Sequence, residues 1–216
     1  MIVEILQRLP AKLILRFRTV SKLWNSLTQE HHFIKQHLKN TPNLNDLGII
    51  ALYQSSEPTF DELSVHYFFN GFHKFDMTDL YELGEECFQM SNSCNGLICV
   101  YGMHTTYVVN PSIKEVLQLP KTRSKAAGAA LMQDTTTREY KVVRLFHHAP
   151  NRTGCEIFDL GGSHSWRHAQ DAPRAIHTNV CYGYLPVVVN GAIHWLTDIF
   201  AFRKGRGHCD FFRHQE

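Results

Sequence analysis

No apolar run in this chain approaches the length of a membrane span, and an acid, Glu4, stands where a secretory signal would carry positive charge. The six cysteines, at 87, 94, 99, 155, 181 and 209, include no Cys-x-x-Cys pair and no regular spacing, which fits reduced and mostly buried thiols. A soluble intracellular protein, cytoplasmic and/or nuclear, is expected. Net charge is only +2, too little for a general attraction to nucleic acid or to an acidic membrane. His-Glu-x-x-His is absent, and the adjacent histidines His147 and His148 would point to opposite faces of a strand. Gly161-Gly162-Ser163-His164-Ser165 lacks the Gly-x-Ser-x-Gly order of a nucleophile elbow and reads as a turn. Cys99 and Cys155 lie in apolar runs, where a thiol is inert packing. No catalytic residue, cofactor or metal site is expected.

The first forty residues carry the organising pattern. Ile2, Ile5, Leu6 and Leu9 recur at i, i+3, i+4 and i+7, giving a short helix one apolar stripe. Pro10 cannot continue that helix but suits the start of another, so Leu9-Pro10 reads as a corner. Leu13, Phe17, Val20, Trp24 and Leu27 form the stripe of a second helix, and Phe33, Ile34, His37 and Leu38 suggest a third, shorter one. So small a bundle cannot offset its own ordering entropy, and its leftover apolar side chains mark a docking surface. A helix-turn-helix reader of DNA is a weaker alternative. Lys and Arg exceed Asp and Glu by about five here, but they scatter around the helices instead of lining one.

The run Ile5-Leu6-x-Arg8-Leu9-Pro10-Ala11-x-x-Ile14-Leu15-Arg16-Phe17-Arg18-x-Val20-Ser21-Lys22-x-Trp24-x-x-Leu27, with His32-Phe33 and His37-Leu38 after it, closely resembles the F-box of plant F-box proteins. The resemblance implies a substrate-recognition subunit of an SCF-type cullin ubiquitin ligase, bound through this segment to a Skp-type adaptor. By position it places Leu9, Pro10, Leu13, Leu15, Val20, Ser21 and Trp24 in or directly behind the adaptor surface. Members of the family usually begin with a further Leu-Pro and an acidic turn, where this chain starts Met1-Ile2-Val3-Glu4, so a form shortened at this end is expected.

Asn40-Thr41-Pro42-Asn43-Leu44-Asn45-Asp46 is dense in turn formers and sets a boundary: a helical module over 1–40, a linker over 41–46, then a new periodicity. Short apolar runs at 47–53, 63–69, 97–101, 106–109, 140–145, 155–158 and 186–189 read as strands of a largely buried sheet. Tyr53 to Gln89 is acidic while the flanking parts are basic. Two internal echoes stand out. Cys94-Asn95-Gly96-Leu97-Ile98 resembles Val189-Asn190-Gly191-Ala192-Ile193, each an Asn-Gly turn leading into an apolar strand. Tyr107 to Ser112 resembles Glu156 to Gly161, at a separation of roughly 45 to 50 residues, the size of one propeller blade.

Ser93-Cys94-Asn95-Gly96-Leu97-Ile98-Cys99, Val109-Asn110-Pro111-Ser112, Leu119-Pro120, Glu139 to Arg144, Phe158-Asp159-Leu160 with Ser165-Trp166-Arg167, and Val189 to Leu196 look like the F-box-associated domain that follows the F-box in many plant proteins. That resemblance implies a kelch-like β domain over 47–202 that selects the target protein. After Trp195-Leu196-Thr197 the chain departs from the pattern, and 203–216 is expected to be a divergent, loosely ordered basic tail on a partial propeller. Trp195 is expected in the core, while Tyr182 and Tyr184, beside Gly183 and Pro186, are candidate target contacts. The fold class is α+β: a small helical module followed by a mainly β domain. Its expected partners are the Skp-type adaptor, a cullin through it, and a target protein, with neither nucleic acid nor membrane. The alternatives are a carbohydrate- or peptide-binding β domain whose helices merely pack against it, and an enzyme with a diffuse site.

Overall fold

A computed structural model describes residues 2–40, 49–54, 63–68, 72–77, 88–149, 152–162, 164–172, 186–196 and 209–213. Four helices come first: α1 (Ile2–Leu6), α2 (Ala11–Phe17), α3 (Lys22–Gln29) and α4 (His31–Asn40). The apolar stripe from Leu13 to Leu27 predicts one helix where there are two. Local chemistry breaks it. The Thr19 hydroxyl donates to the Arg16 carbonyl, the Val20 amide closes back on Phe17, and Ser21 turns extended to accept the Trp24 amide at 3.1 Å as an N-cap. The expected third, shorter helix is α4, which at ten residues is the longest of the four.

Every strand among the described residues belongs to an antiparallel meander. The first sheet holds β1 (Ile49–Gln54), β2 (Leu63–Phe68) and β3 (Phe72–Asp76). The second holds β4 (Gln89–Cys94), β5 (Leu97–Tyr101), β6 (Thr106–Asn110) and β7 (Glu115–Gln118). The third holds β8 (Ala126–Gln133), β9 (Tyr140–Ala149), β10 (Arg152–Asp159) and β11 (Arg167–Ala172), and the fourth β12 (Val187–Val189), β13 (Ala192–Leu196) and β14 (Cys209–Arg213). Strands neighbour one another in chain order within each sheet, as in propeller blades.

Side-chain alternation explains why these strands read as continuous apolar runs instead of alternating ones. Ile98 and Val100 of β5 pack with Leu63 and Val65 of the first sheet, while Cys99 and Tyr101 turn the other way onto Leu131 and Val142 of the third. In β8, Ala129 and Leu131 face the second sheet, whereas Ala130 and Met132 join Ile193 and Trp195 of the fourth. Both faces are buried, so neither needs polar residues.

The internal echoes fall at equivalent places. Asn95-Gly96 joins the first two strands of the second sheet and Asn190-Gly191 the first two of the fourth, each pair at positive φ (51° and 80°, 53° and 72°) as a two-residue hairpin requires. Tyr107 to Asn110 and Glu156 to Asp159 end the third strands of adjacent sheets. Strands β3, β4, β7, β8 and β11 lie outside the runs expected from apolar pattern. So does β14: residues 209–213, read as part of a loose basic tail, pair with β13 from Ala192↔Arg213 to Leu196↔Cys209.

Candidate functional site

The helical module closes on a very small core. Leu6, Ile14 and Phe33 are buried, with Val3, Leu9, Phe17 and Trp24 packed partly against them. Trp24 meets Phe17 edge-on at 5.7 Å. Arg18 at the end of α2 reaches Thr28 at the end of α3, its Nε donating to the hydroxyl at 3.1 Å, and His37 of α4 bonds the Leu9 carbonyl at 2.8 Å. These polar ties fix the crossing of helices that three buried side chains alone would hold weakly.

The seven residues expected at the adaptor surface therefore divide. Leu9 and Trp24 pack inward against the small core, and Ser21 spends its hydroxyl on capping α3. Leu13 is half-buried, Pro10 is exposed, and Val20 is 61 % exposed. Leu15 is half-buried in a cleft where α2 and α4 approach Asn110, Ile113 and Glu115 around the β6–β7 turn. Other apolar side chains outside those seven stand in solvent: Ile5 at 57 %, Ile34 at 45 % and Ile2 at 44 %, all three in the helical stripes read from the sequence, and Leu23 at 59 %, which no stripe included. Helical spacing held the signal for Leu23, since it follows Lys22 and precedes Trp24, on a different side of α3 from the stripe residue Trp24. An isolated exposed apolar residue is ordinary, but this many in forty residues is a surface that water disfavours.

Two comparisons with known proteins bear on these helices and sheets. A model of the F-box domain matches residues 1–36, and a model of the F-box associated beta propeller domain matches residues 49–205. The chain belongs to the F-box-associated β-propeller family of F-box proteins. Similar proteins in Arabidopsis thaliana include At1g33530 (28 % identical over 197 residues) and At1g47790 (29 % over 216 residues), both carrying "F-box protein" in their names. The alignments cover 89 % and 93 % of this chain but 43 % and 52 % of those proteins. At1g12870, named an F-box/kelch-repeat protein, is 25 % identical over 227 residues, covering 91 % of this chain and 52 % of that protein. The chain spans about half the length of the relatives it matches.

Several buried polar groups in the β half of this F-box protein hold neighbouring strands and loops together. Arg144 is fully buried: its Nη1 donates to Glu156 at 2.7 Å and its Nη2 to the carbonyls of Met103 and Ser124. Lys141 sits between Asp134 at 2.7 Å and Asp159 at 3.7 Å, and its hydrogen bond is the main cause holding the Asp134 carboxyl down at about 2. Burial pushes the Cys99 thiol up to about 12, so it is inert packing as its apolar surroundings imply. Trp195 lies in the core. Trp166, from the Ser165-Trp166-Arg167 motif, donates its indole N–H to the Pro120 carbonyl at 2.7 Å and packs on Phe158. Tyr182 and Tyr184 lie outside the described residues.

Proposed function

We propose that this chain is the target-recognition subunit of an SCF-type cullin ubiquitin ligase. Its helices dock on a Skp-type adaptor, and through it on a cullin, while the β domain holds a target protein. The supporting observation is the solvent exposure of Val20, Leu23, Ile5, Ile2 and Ile34 in a segment matching the F-box domain. Burying such side chains under a partner recovers roughly 25 cal/mol for each Å² of apolar surface. Helices that merely packed against the β domain would instead turn these side chains inward. Ubiquitin transfer belongs to other subunits in this reading, so the chain acts as an adaptor and not an enzyme, in the cytoplasm and/or nucleus.

Co-purification with a Skp-type adaptor tests the proposal, comparing wild type with Leu13→Asp and Val20→Asp. Val20 is exposed, so its replacement leaves the fold intact while placing a carboxylate in the contact, where desolvation costs several kcal/mol. Capture by wild type and loss in both variants supports docking. Equal capture by all three, or by none, removes it.

A further inference from the structure

The loop between β7 and β8 reads Pro120-Lys121-Thr122-Arg123-Ser124-Lys125, and exposure alternates along it: Lys121, Arg123 and Lys125 are exposed, Thr122 and Ser124 half-buried. No Asp or Glu occurs between Glu115 and Asp134, and neither Arg123 nor Lys125 pairs with a carboxylate among the described residues. The backbone beneath is held on several sides. The Thr122 amide bonds the His104 carbonyl at 3.2 Å, the Ala126 amide bonds Met103 at 2.8 Å, and buried Arg144 donates to Ser124 at 3.0 Å. With the backbone already fixed, only the side chains remain to be ordered when an anion arrives.

Beside this loop runs a groove of about 360 Å³ between the end of β7 and the β10–β11 turn, with Leu117, Pro120, Phe158 and Leu160 in its lining. Leu117 is half exposed. The place also suits a bound target. The helices approach the β domain at Asn110, Ile113 and Glu115, at one end of β7, while the cationic loop leaves the other end.

We propose that Lys121, Arg123 and Lys125, with the groove at Leu117 and Pro120, seat an acidic segment of the target protein that carries one large apolar side chain. This rests on the target-recognition reading above and adds the chemistry of the target. A peptide fits better than a nucleic acid. Single strands are gripped by aromatic platforms along an extended basic track, whereas here Trp166, the aromatic beside Pro120, is packed on Phe158 and tied to the backbone.

Selection of random peptides displayed on phage against the full chain, followed by affinity measurement on the peptides recovered, tests this. Enrichment of Asp and Glu around a large apolar residue is expected, with binding that weakens as salt rises. Reversing the charges together (Lys121→Glu, Arg123→Glu, Lys125→Glu) lowers affinity about tenfold or more, and Leu117→Ser weakens binding without changing its salt dependence. Thermal unfolding and adaptor capture stay as in wild type. Peptides without an acidic excess, or acidic peptides that bind the reversed variant equally well, overturn the proposal. So does a single-stranded oligothymidylate that displaces the selected peptides, or self-association of the chain through the same residues. A chain that selects acidic peptides but captures no adaptor keeps this surface and loses the ligase reading.

Discussion

Trp195 of the fourth sheet brings the edge of its indole against Gly128 of the third, so closely that a β-carbon on that glycine would come within 2.6 Å of the indole Cζ3. The glycine is what lets the two sheets meet there. Because Trp195 is buried, Gly128→Ala is expected to cost about 1 to 3 kcal/mol by overpacking. Urea unfolding followed by tryptophan fluorescence measures it, and an unchanged midpoint would show that the indole can give way.

Asn92 joins two sheets in the manner of an extra strand. Its amide nitrogen donates to the Leu131 carbonyl at 2.8 Å and its oxygen accepts the Leu131 amide at 3.3 Å. Since β8 is the edge of the third sheet, those backbone groups have no strand of their own beyond it. Asn92→Leu leaves both unpaired in a buried setting and is expected to destabilise by roughly 2 kcal/mol or more. Faster hydrogen exchange at the Leu131 amide would locate the loss.

Arg144 and Glu156 form a pair whose members are not separately dispensable. Arg144→Met strands the Glu156 carboxylate and leaves the Met103 and Ser124 carbonyls without that donor, at an expected cost of about 3 to 5 kcal/mol. Adding Glu156→Leu should recover part of the loss, because the uncompensated charge goes with it. A double-mutant cycle by chemical unfolding reads the coupling; simple additivity would mean the two groups act independently.

Acid should weaken the β8–β9 corner in a defined window. The folded-state carboxyl of Asp134 sits at about 2, below its ordinary 3.8, chiefly through the Lys141 hydrogen bond and then the Thr136 amide. A depressed folded value means that the stabilisation is complete above the unfolded value and disappears as pH falls through the folded one. Asp134→Asn is therefore expected to be less stable than wild type at neutral pH, with the gap closing between about pH 4 and pH 2. Thermal melting across that range checks the sign.

Legibility in the sequence tracked the physical source of each element. β5 and β6 announce themselves because Ile98, Val100, Val108 and Val109 are β-branched and buried. β8 does not, since Ala126-Ala127-Gly128-Ala129-Ala130 has little strand propensity of its own; its conformation comes from close sheet contact, seen at Trp195. At the helices, the unbroken apolar period through Val20 concealed the break, although Ser21 carried a cap signal. For the candidate site, the family pattern named seven residues that mix surface positions such as Val20 with Leu9 and Trp24, which pack inward. Periodicity tells which face is apolar; it does not tell which apolar residues a small core can accommodate.

Hydrogen exchange of the full chain with and without a Skp-type adaptor tests the central claim most directly. Protection is expected to appear on binding in α1, in the Val20 to Leu23 segment and along α4 near Ile34, with the strands of the second and third sheets unchanged. An adaptor that binds without slowing exchange in any of those helices, or that protects the sheets instead, would contradict the account.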